Sequence, residues 1–238
     1  MLAYARRGTT GVLTLKDPPH NLLKSPLFAD RAELERFLAA QDLSGVIVVG
    51  EGRHFCGGAD LEQLEIQSKD REQLRRALDQ GKALLDLLRF ATVPVIAAIR
   101  GQCLGAGLEI ALACHLRIAS QGAMLGFPET THGLLPGLGG TVALGEPRLR
   151  CAIDLIVSGR LVDADEALSL GLVDGVVDAA KVEQAAEQRL TELVGGKSVQ
   201  LVRSVMESIQ NGRRLPREEA LRRETELFCT LAGARHAG

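Results

Sequence analysis

VIAAIRGQCLGAGLEIALAC, residues 95–114, holds a complete structural unit within one short stretch. The apolar run at 94–100 predicts a buried strand, and the small-residue run at 107–114 predicts a helix after a glycine-broken loop. A carboxylate, Glu109, stands inside this otherwise apolar helix. Because removing water from an unpaired carboxylate is costly, such a residue has either a structural partner or a chemical task.

Similar units lie on both sides of this stretch. Upstream, the patterns predict a hairpin (2–7 and 11–16), a loop (17–21), a helix (28–40), a strand (44–50), a loop (52–60) and a long helix (70–90). Downstream, they predict strands (115–120 and 123–127), a loop (128–141), a helix (147–157), a short helix (162–168, N-cap Asp163) and a strand (174–177). From 179 onward the patterns are helical, at 180–194, 198–210 and 216–232. We therefore expect an α/β core of parallel sheet over 1–178 and a helical region over 179–238.

Composition restricts the functional class. The 238 residues are 46% hydrophobic and 24% charged, which is typical of a soluble globular protein. A formal charge of −2 gives no reason to expect nucleic acid as a partner, and no apolar run approaches the ~20 residues of a membrane span. The five cysteines are scattered without metal-ligand spacing. We expect reduced thiols, no metal, no cofactor, no membrane partner and a cytoplasmic location.

Two glycine-rich loops, GGAD (57–60) and LGAG (104–107), each follow a strand and open into a helix. The first N–H groups of a helix have no partner within the helix. Two such groups from separate loops could bind a thioester oxygen as it gains negative charge. Taken alone, either loop favours the simpler interpretation of a tight turn.

Three segments carry a resemblance to a known family: HFCGGADL (54–61), VIAAIRGQCLGAGLEIALAC and GFPETTHGLLPGLGGT (126–141). Together they resemble the crotonase (enoyl-CoA hydratase/isomerase) superfamily from about residue 2 to 230. The resemblance implies a superhelical ββα spiral with a C-terminal helical oligomerisation region, assembled as a homotrimer or a dimer of trimers. It also implies an oxyanion hole made by the N–H groups of Ala59 and Ala106, and substrate contacts by Leu22, Gly57, Asp60 and Leu61.

The resemblance also suggests a task for Glu109. Hydratases of this family have one glutamate three residues after the second oxyanion donor and another after a proline downstream, and Glu109 and Glu129 match both positions. Adding water to an α,β-unsaturated thioester requires one group that removes a proton and one that delivers a proton. We therefore expect an enoyl-CoA hydratase in which coenzyme A enters as part of the substrate. The alternative is that Glu109 is a buried structural carboxylate and Glu129 an exposed loop residue.

Several alternatives stay open at this stage. A Δ3,Δ2-enoyl-CoA isomerase would use Glu129 alone, and a crotonase-like enzyme of polyketide pathways would take its acyl group from a carrier protein. Relatives often continue beyond LFCTLAGARHAG with a helix that helps to close the coenzyme A site, so the thioester carrier is open. A scaffold or RNA-binding role does not fit the balanced charge. The acyl chain and the direction of reaction are undetermined.

Three further residues receive an interpretation. His132, three residues after Glu129, stands where relatives usually carry an apolar residue and is a candidate for the acyl pocket; the alternative is a histidine that hydrogen-bonds to the backbone. His115 stands where many relatives carry Asp, and we expect it to be structural. Cys56 adjoins the first glycine-rich loop, but no base is paired with it in the sequence, so we do not expect a nucleophile.

Overall fold

The fold is taken from a computed structural model that describes residues 2–145 and 149–234. The strands within these ranges are β1 (Leu2–Arg7), β2 (Thr10–Leu15), β3 (Gly45–Gly50), β4 (Val95–Ile99), β5 (Gln102–Leu104), β6 (Leu116–Ser120), β7 (Met124–Gly126), β8 (Leu161–Asp163) and β9 (Gly175–Val177). The α-helices are α1 (Arg31–Ala39), α2 (Leu61–Ser68), α3 (Arg71–Arg89), α4 (Ala106–Ala113), α5 (Gly140–Ala143), α6 (Leu149–Ala152), α7 (Ala164–Ser169), α8 (Val182–Val194), α9 (Val199–Arg214) and α10 (Arg217–Ala234).

Two sheets form the core. The larger sheet has the order β1-β2-β3-β4-β6-β9, in which β1 and β2 are antiparallel and the other neighbours are parallel. The smaller sheet has the order β5-β7-β8, with β5 parallel to β7. Each crossover from β3 to β4, β4 to β6 and β6 to β9 adds one turn of a spiral. This arrangement confirms the α/β core predicted from the sequence patterns and the ββα spiral that the family resemblance implies.

Alternation along β3 explains how the larger sheet is covered on both faces. Val46 and Val48 belong to the main hydrophobic core, together with Leu84 and Leu88 of α3. The intervening Ile47 and Val49 face the opposite layer. Because side chains of a strand alternate between its faces, an uninterrupted apolar run is the signature of a strand buried on both sides.

Helix α8 forms that opposite layer, since Val182, Ala186 and Leu190 join the second core cluster. A Cβ atom at Gly45 would lie 2.3 Å from Cδ1 of Leu190, so any larger residue at position 45 would displace the Leu190 side chain where α8 approaches β3. The first helix after residue 178 therefore packs directly on the sheet. The division of the chain into 1–178 and 179–238 stays a prediction.

Most predicted elements are confirmed. Helix α2, between the predicted loop 52–60 and the predicted helix 70–90, was not predicted. The helix predicted at 162–168 begins at Ala164, because Leu161–Asp163 pairs with β7 as strand β8. Four other elements differ in detail. The helix predicted from residue 28 begins at Arg31, because Asp30 caps it by accepting a hydrogen bond from the Glu33 amide. The predicted loop GQCLGAG contains β5, and the predicted loop 128–141 contains a 3₁₀-helix at Pro128–His132 and the start of α5. The predicted helix 147–157 lies partly outside the described residues, and its remainder is α6 followed by a π-helical turn at Ile153–Val157.

The last two helices pack on one another at the edge of the core. Helix α9 is anchored by the buried residues Val202 and Gln210, whereas α10 has no buried residue in its described part. Its Phe228 is 71% exposed. No described helix is both long and apolar enough to cross a membrane. The trimer or dimer of trimers expected from this region stays a prediction.

Candidate active site

The two glycine-rich loops lie side by side in the structure. The Cys56 carbonyl, just before the first loop, accepts a hydrogen bond from the amide of Leu104, the last residue of β5 (3.0 Å). A Cβ atom at Gly58 would lie 2.9 Å from the Leu104 carbonyl oxygen and 3.8 Å from the nitrogen of Ala106. Gly58 has a φ of +102°, a conformation that side chains rarely permit. Glycine at 58 therefore allows the first loop to approach the start of α4.

Both alanine amides are available to a ligand. Leu23 donates to the Gly58 carbonyl and accepts from the Asp60 amide, so it pairs along one edge of this segment and leaves the Ala59 N–H on the other edge. Ala106 is the first residue of α4, where an N–H has no helical acceptor. Neither amide donates to an acceptor within the described residues. Both alanines line the same cavity, as an oxyanion hole requires.

Glu109 projects from α4 into this cavity and is 2% exposed. Its Oε1 accepts hydrogen bonds from the amides of Leu138 (2.8 Å) and Gly140 (2.7 Å). Burial raises the pKa of Glu109, and the two amide donors oppose that rise because they favour the charged carboxylate. The buried carboxylate therefore has structural partners at one oxygen and also faces the cavity.

Glu129 reaches the cavity from the 3₁₀-helix that follows β7. Its Oε2 is buried and has no hydrogen-bond partner among the described residues. Burial, with a further contribution from the nearby Glu109, raises the pKa of Glu129 to about 7. A Cβ atom at Gly105 would lie 2.7 Å from Oε1 of Glu129, so the second oxyanion loop and this carboxyl group are in direct contact. Two carboxyl groups with different surroundings thus meet at one site.

The cavity has a volume of about 250 Å³. Its wall combines the two alanines and the two glutamates with a largely apolar surface. Eight leucines of the described chain contribute to that surface: Leu23, Leu61, Leu64, Leu74, Leu78, Leu134, Leu135 and Leu138. A cavity that places a few polar groups among apolar walls is the usual form of a small-molecule site.

The other predicted substrate contacts differ in their positions. Gly57, Asp60, Leu61 and His132 all line the cavity. Asp60 is also the N-cap of α2, where its side chain accepts from the Gln63 amide (3.1 Å). His132 is exposed at the end of the 3₁₀-helix.

Leu22 is not part of the cavity wall among the described residues, whereas its neighbour Leu23 is. The Cδ2 atom of Leu22 lies 3.0 Å from where a Cβ atom of Gly57 would be. Leu22 therefore packs behind the first glycine-rich loop. Its predicted contact with substrate is not tested by this position.

Sequence reasoning missed the amides that hold Glu109. Leu138 and Gly140 lie in LLPGLGG, about thirty residues after Glu109, and no periodic pattern connects them to α4. The run of glycines was the available signal, because it leaves backbone N–H groups accessible. It could not indicate which carboxylate those groups would bind.

His115 and Cys56 have surroundings that fit structural roles. His115 Nδ1 accepts from the Val95 amide, its Nε2 lies 3.1 Å from the Arg89 carbonyl oxygen, and burial lowers its pKa to about 4. Burial raises the pKa of the Cys56 thiol to about 12, so it is protonated at neutral pH. The described residues contain no cluster of side chains suited to a metal ion.

Comparison with known proteins places this geometry in a family. The family model described as enoyl-CoA hydratase/isomerase matches residues 6–237. A protein of Bacillus subtilis named probable enoyl-CoA hydratase is 36% identical over 222 residues, which cover 91% of this chain and 84% of that protein. The peroxisomal bifunctional enzyme of Danio rerio is 40% identical over 183 residues, 75% of this chain. The matched segment is 24% of that enzyme, so the likeness concerns about a quarter of its length.

Solved structures of similar fold include a putative enoyl-CoA hydratase. The structure of Pseudomonas aeruginosa DspI has a TM-score of 0.85 and 32% identity, covering 98% of this chain and 96% of that one. A putative enoyl-CoA hydratase of Thermobifida fusca, solved in complex with CoA, has a TM-score of 0.84 and 26% identity, covering 100% of this chain and 95% of that one.

Proposed function

The chain belongs to the enoyl-CoA hydratase/isomerase family, and on that premise we propose that it adds water to, or removes it from, an α,β-unsaturated acyl-CoA thioester. The observation that carries this proposal is the meeting of two carboxyl groups and two free amides in one cavity. Hydration requires proton transfer at two positions and stabilisation of an enolate, and these four groups can supply all three.

In the proposed mechanism, the thioester carbonyl oxygen binds between the amides of Ala59 and Ala106. Attack of water at Cβ moves electrons onto this oxygen, where two N–H donors stabilise the developing negative charge. The donors are preorganised, because Ala59 lies in a loop held by Leu23 and Ala106 begins a helix. In the proposed step, coenzyme A enters only as part of the substrate.

The surroundings of the two carboxyl groups suggest how they divide the proton transfers. Glu109 receives two amide hydrogen bonds, which favour its charged form, so it is suited to remove a proton from the attacking water. Oε2 of Glu129 has no hydrogen-bond partner among the described residues, and burial raises the pKa of Glu129 to about 7, so it is suited to deliver a proton to Cα. Two carboxyl groups whose surroundings separate their pKa values can act as base and acid at the same pH.

Incubation with a panel of enoyl thioesters, followed by mass spectrometry, tests the reaction. We expect a product heavier by one water molecule. Movement of the double bond without a change in mass would instead indicate an isomerase, in which Glu129 alone transfers the proton. Each acyl group should be offered on coenzyme A and on a carrier protein, because the thioester carrier is part of the proposal. Absence of turnover with every thioester would contradict the proposed function.

The cellular setting belongs to the same proposal. Relatives named for fatty acid β-oxidation support a role in fatty acid metabolism. Acyl-CoA is the proposed substrate, supported by the CoA complex of the Thermobifida fusca relative. A homotrimer or a dimer of trimers is the proposed assembly, supported by exposed apolar residues of α9 and α10 such as Ile209 and Phe228. A cytoplasmic location stays a prediction from the scattered cysteines.

A further inference from the structure

We propose that Cys56 is a positioning residue of the oxyanion hole, which holds the first glycine-rich loop so that the Ala59 amide faces the thioester oxygen. This inference rests on the proposed function. Cys56 is fully buried three residues before Ala59. Its main chain, its thiol and its Cβ atom each contact a different part of the two loops.

The main chain of Cys56 joins the two loops. Its amide donates to the Gln102 carbonyl and its carbonyl accepts from the Leu104 amide, both at 3.0 Å. Cys56 is therefore paired with β5, the strand that leads directly to Ala106. A shift of Cys56 would move the two oxyanion donors relative to one another.

The thiol completes the hydrogen bonding of the first loop. The Gly58 amide donates to Sγ of Cys56 at 3.4 Å, in the manner of turns in which a side chain accepts from the amide two residues later. The Gly57 amide donates to the His20 carbonyl, and the Asp60 amide donates to the Leu23 carbonyl. Of the four amides from 57 to 60, the Ala59 amide is thus the one left for a ligand. The thiol of Cys56 therefore holds the Gly57–Gly58 peptide group, which immediately precedes the peptide group that carries the Ala59 amide.

The Cys56 side chain is also enclosed by the helix that carries the second donor. A Cβ atom at Gly107 would lie 2.7 Å from Cβ of Cys56, so the first turn of α4 packs directly against this residue. Loss of the sulfur atom would leave the Gly58 N–H buried without its acceptor and would open a space near Gly107 in the first turn of α4. Both changes would loosen the geometry of the oxyanion hole.

Cys103 provides a matched control. It is the bridge partner of Cys56, it is equally buried, and it lies three residues before the other donor, Ala106. Within the described residues, the Cys103 thiol makes no hydrogen bond, whereas the Cys56 thiol accepts one from the Gly58 amide. Cys103→Ala therefore removes the same atom from nearly the same place without removing an acceptor from the oxyanion loops.

The test compares Cys56→Ala, Cys56→Ser and Cys103→Ala by kinetics and thermal unfolding. Complete loss of one oxyanion donor costs about 10²–10³ in kcat, so partial misorientation in Cys56→Ala should lower kcat about 10-fold. KM should change little, because the interaction strengthens in the transition state. Cys56→Ser keeps an acceptor and should restore kcat to within about 3-fold of wild type. Equal losses of kcat in Cys56→Ala and Cys103→Ala would refute the inference.

A second readout does not depend on turnover. The infrared carbonyl stretch of bound, isotope-labelled butyryl-CoA should shift to lower frequency in the wild type, in Cys56→Ser and in Cys103→Ala. The shift should be smaller in Cys56→Ala. If the wild type shows the shift but no hydration, the proposed function fails and the role of Cys56 still stands. An unshifted carbonyl in the wild type, or an undiminished shift in Cys56→Ala, would overturn the role of Cys56.

Discussion

Replacing Glu129 with Gln should slow the reaction and stabilise the fold at neutral to alkaline pH. The substitution nearly preserves the shape of the side chain but removes the proton that Glu129 is proposed to deliver. Loss of a general acid or base typically lowers turnover about 10²–10⁴-fold. The stabilisation has a separate cause, which is the burial of a carboxyl oxygen that has no partner among the described residues.

The size of this stabilisation follows from the pKa of Glu129, which burial raises from 4.5 to about 7. Between these values the folded state keeps a proton that the unfolded state has lost, so stability falls as the pH rises from about 4.5 to about 7. The full rise in the pKa of Glu129 corresponds to about 3 kcal/mol in the free energy of unfolding. Because the side chain is partly exposed, we expect a change of about 1–2 kcal/mol. Glu129→Gln should therefore exceed the wild type in stability at pH 8 by about this amount, and the difference should vanish near pH 4.

Denaturant unfolding at pH 4 and pH 8, together with pH–rate profiles, measures both effects. In the wild type, kcat/KM for hydration should fall as the pH rises through about 7, since the acid loses its proton. Glu207→Gln, an exposed substitution on α9, is the control and should change neither property. Turnover of Glu129→Gln within about threefold of wild type would remove Glu129 from the mechanism. If the wild type and Glu129→Gln had equal free energies of unfolding at pH 8, the carboxyl group of Glu129 would be ionised there without a cost in stability.

Three further predictions concern the rest of the site and the assembly. Glu109→Gln should lower turnover about 10²–10⁴-fold with little change in substrate binding, and near-normal kinetics would assign Glu109 a structural role alone. Ala106→Pro removes one oxyanion donor and should cost about 10²–10³-fold, with circular dichroism to verify folding; a folded variant with normal turnover would remove the hole from this loop. Light scattering at micromolar concentration should give the mass of a trimer or a hexamer, and a stable monomer near 25.4 kDa would contradict the proposed assembly.

Local patterns were sufficient for the elements of the core. The β-branched run at 45–50 and the apolar run at 95–99 form strands buried on both faces, and Asp163 caps α7 as predicted. These features depend on near neighbours in the chain, since side-chain periodicity and capping act over a few residues. Short elements inside loops were missed: β5 has three residues and forms by pairing with β7 and Cys56. Such a strand has no pattern of its own.

In the candidate site, too, features that depend on continuous segments could be predicted, whereas features that depend on distant contacts could not. The residues of the two oxyanion loops and the two glutamates could be named from the family resemblance, because each motif that carries it is continuous in the chain. Contacts over long sequence distances could not: the amides of Leu138 and Gly140 reach Glu109, and Gly58 packs against Leu104. These contacts determine which carboxylate is hydrogen-bonded and which has a pKa near 7. Residue type sets the chemistry that is available, whereas burial and distant hydrogen-bond donors set the protonation state, and both arise when the chain is packed.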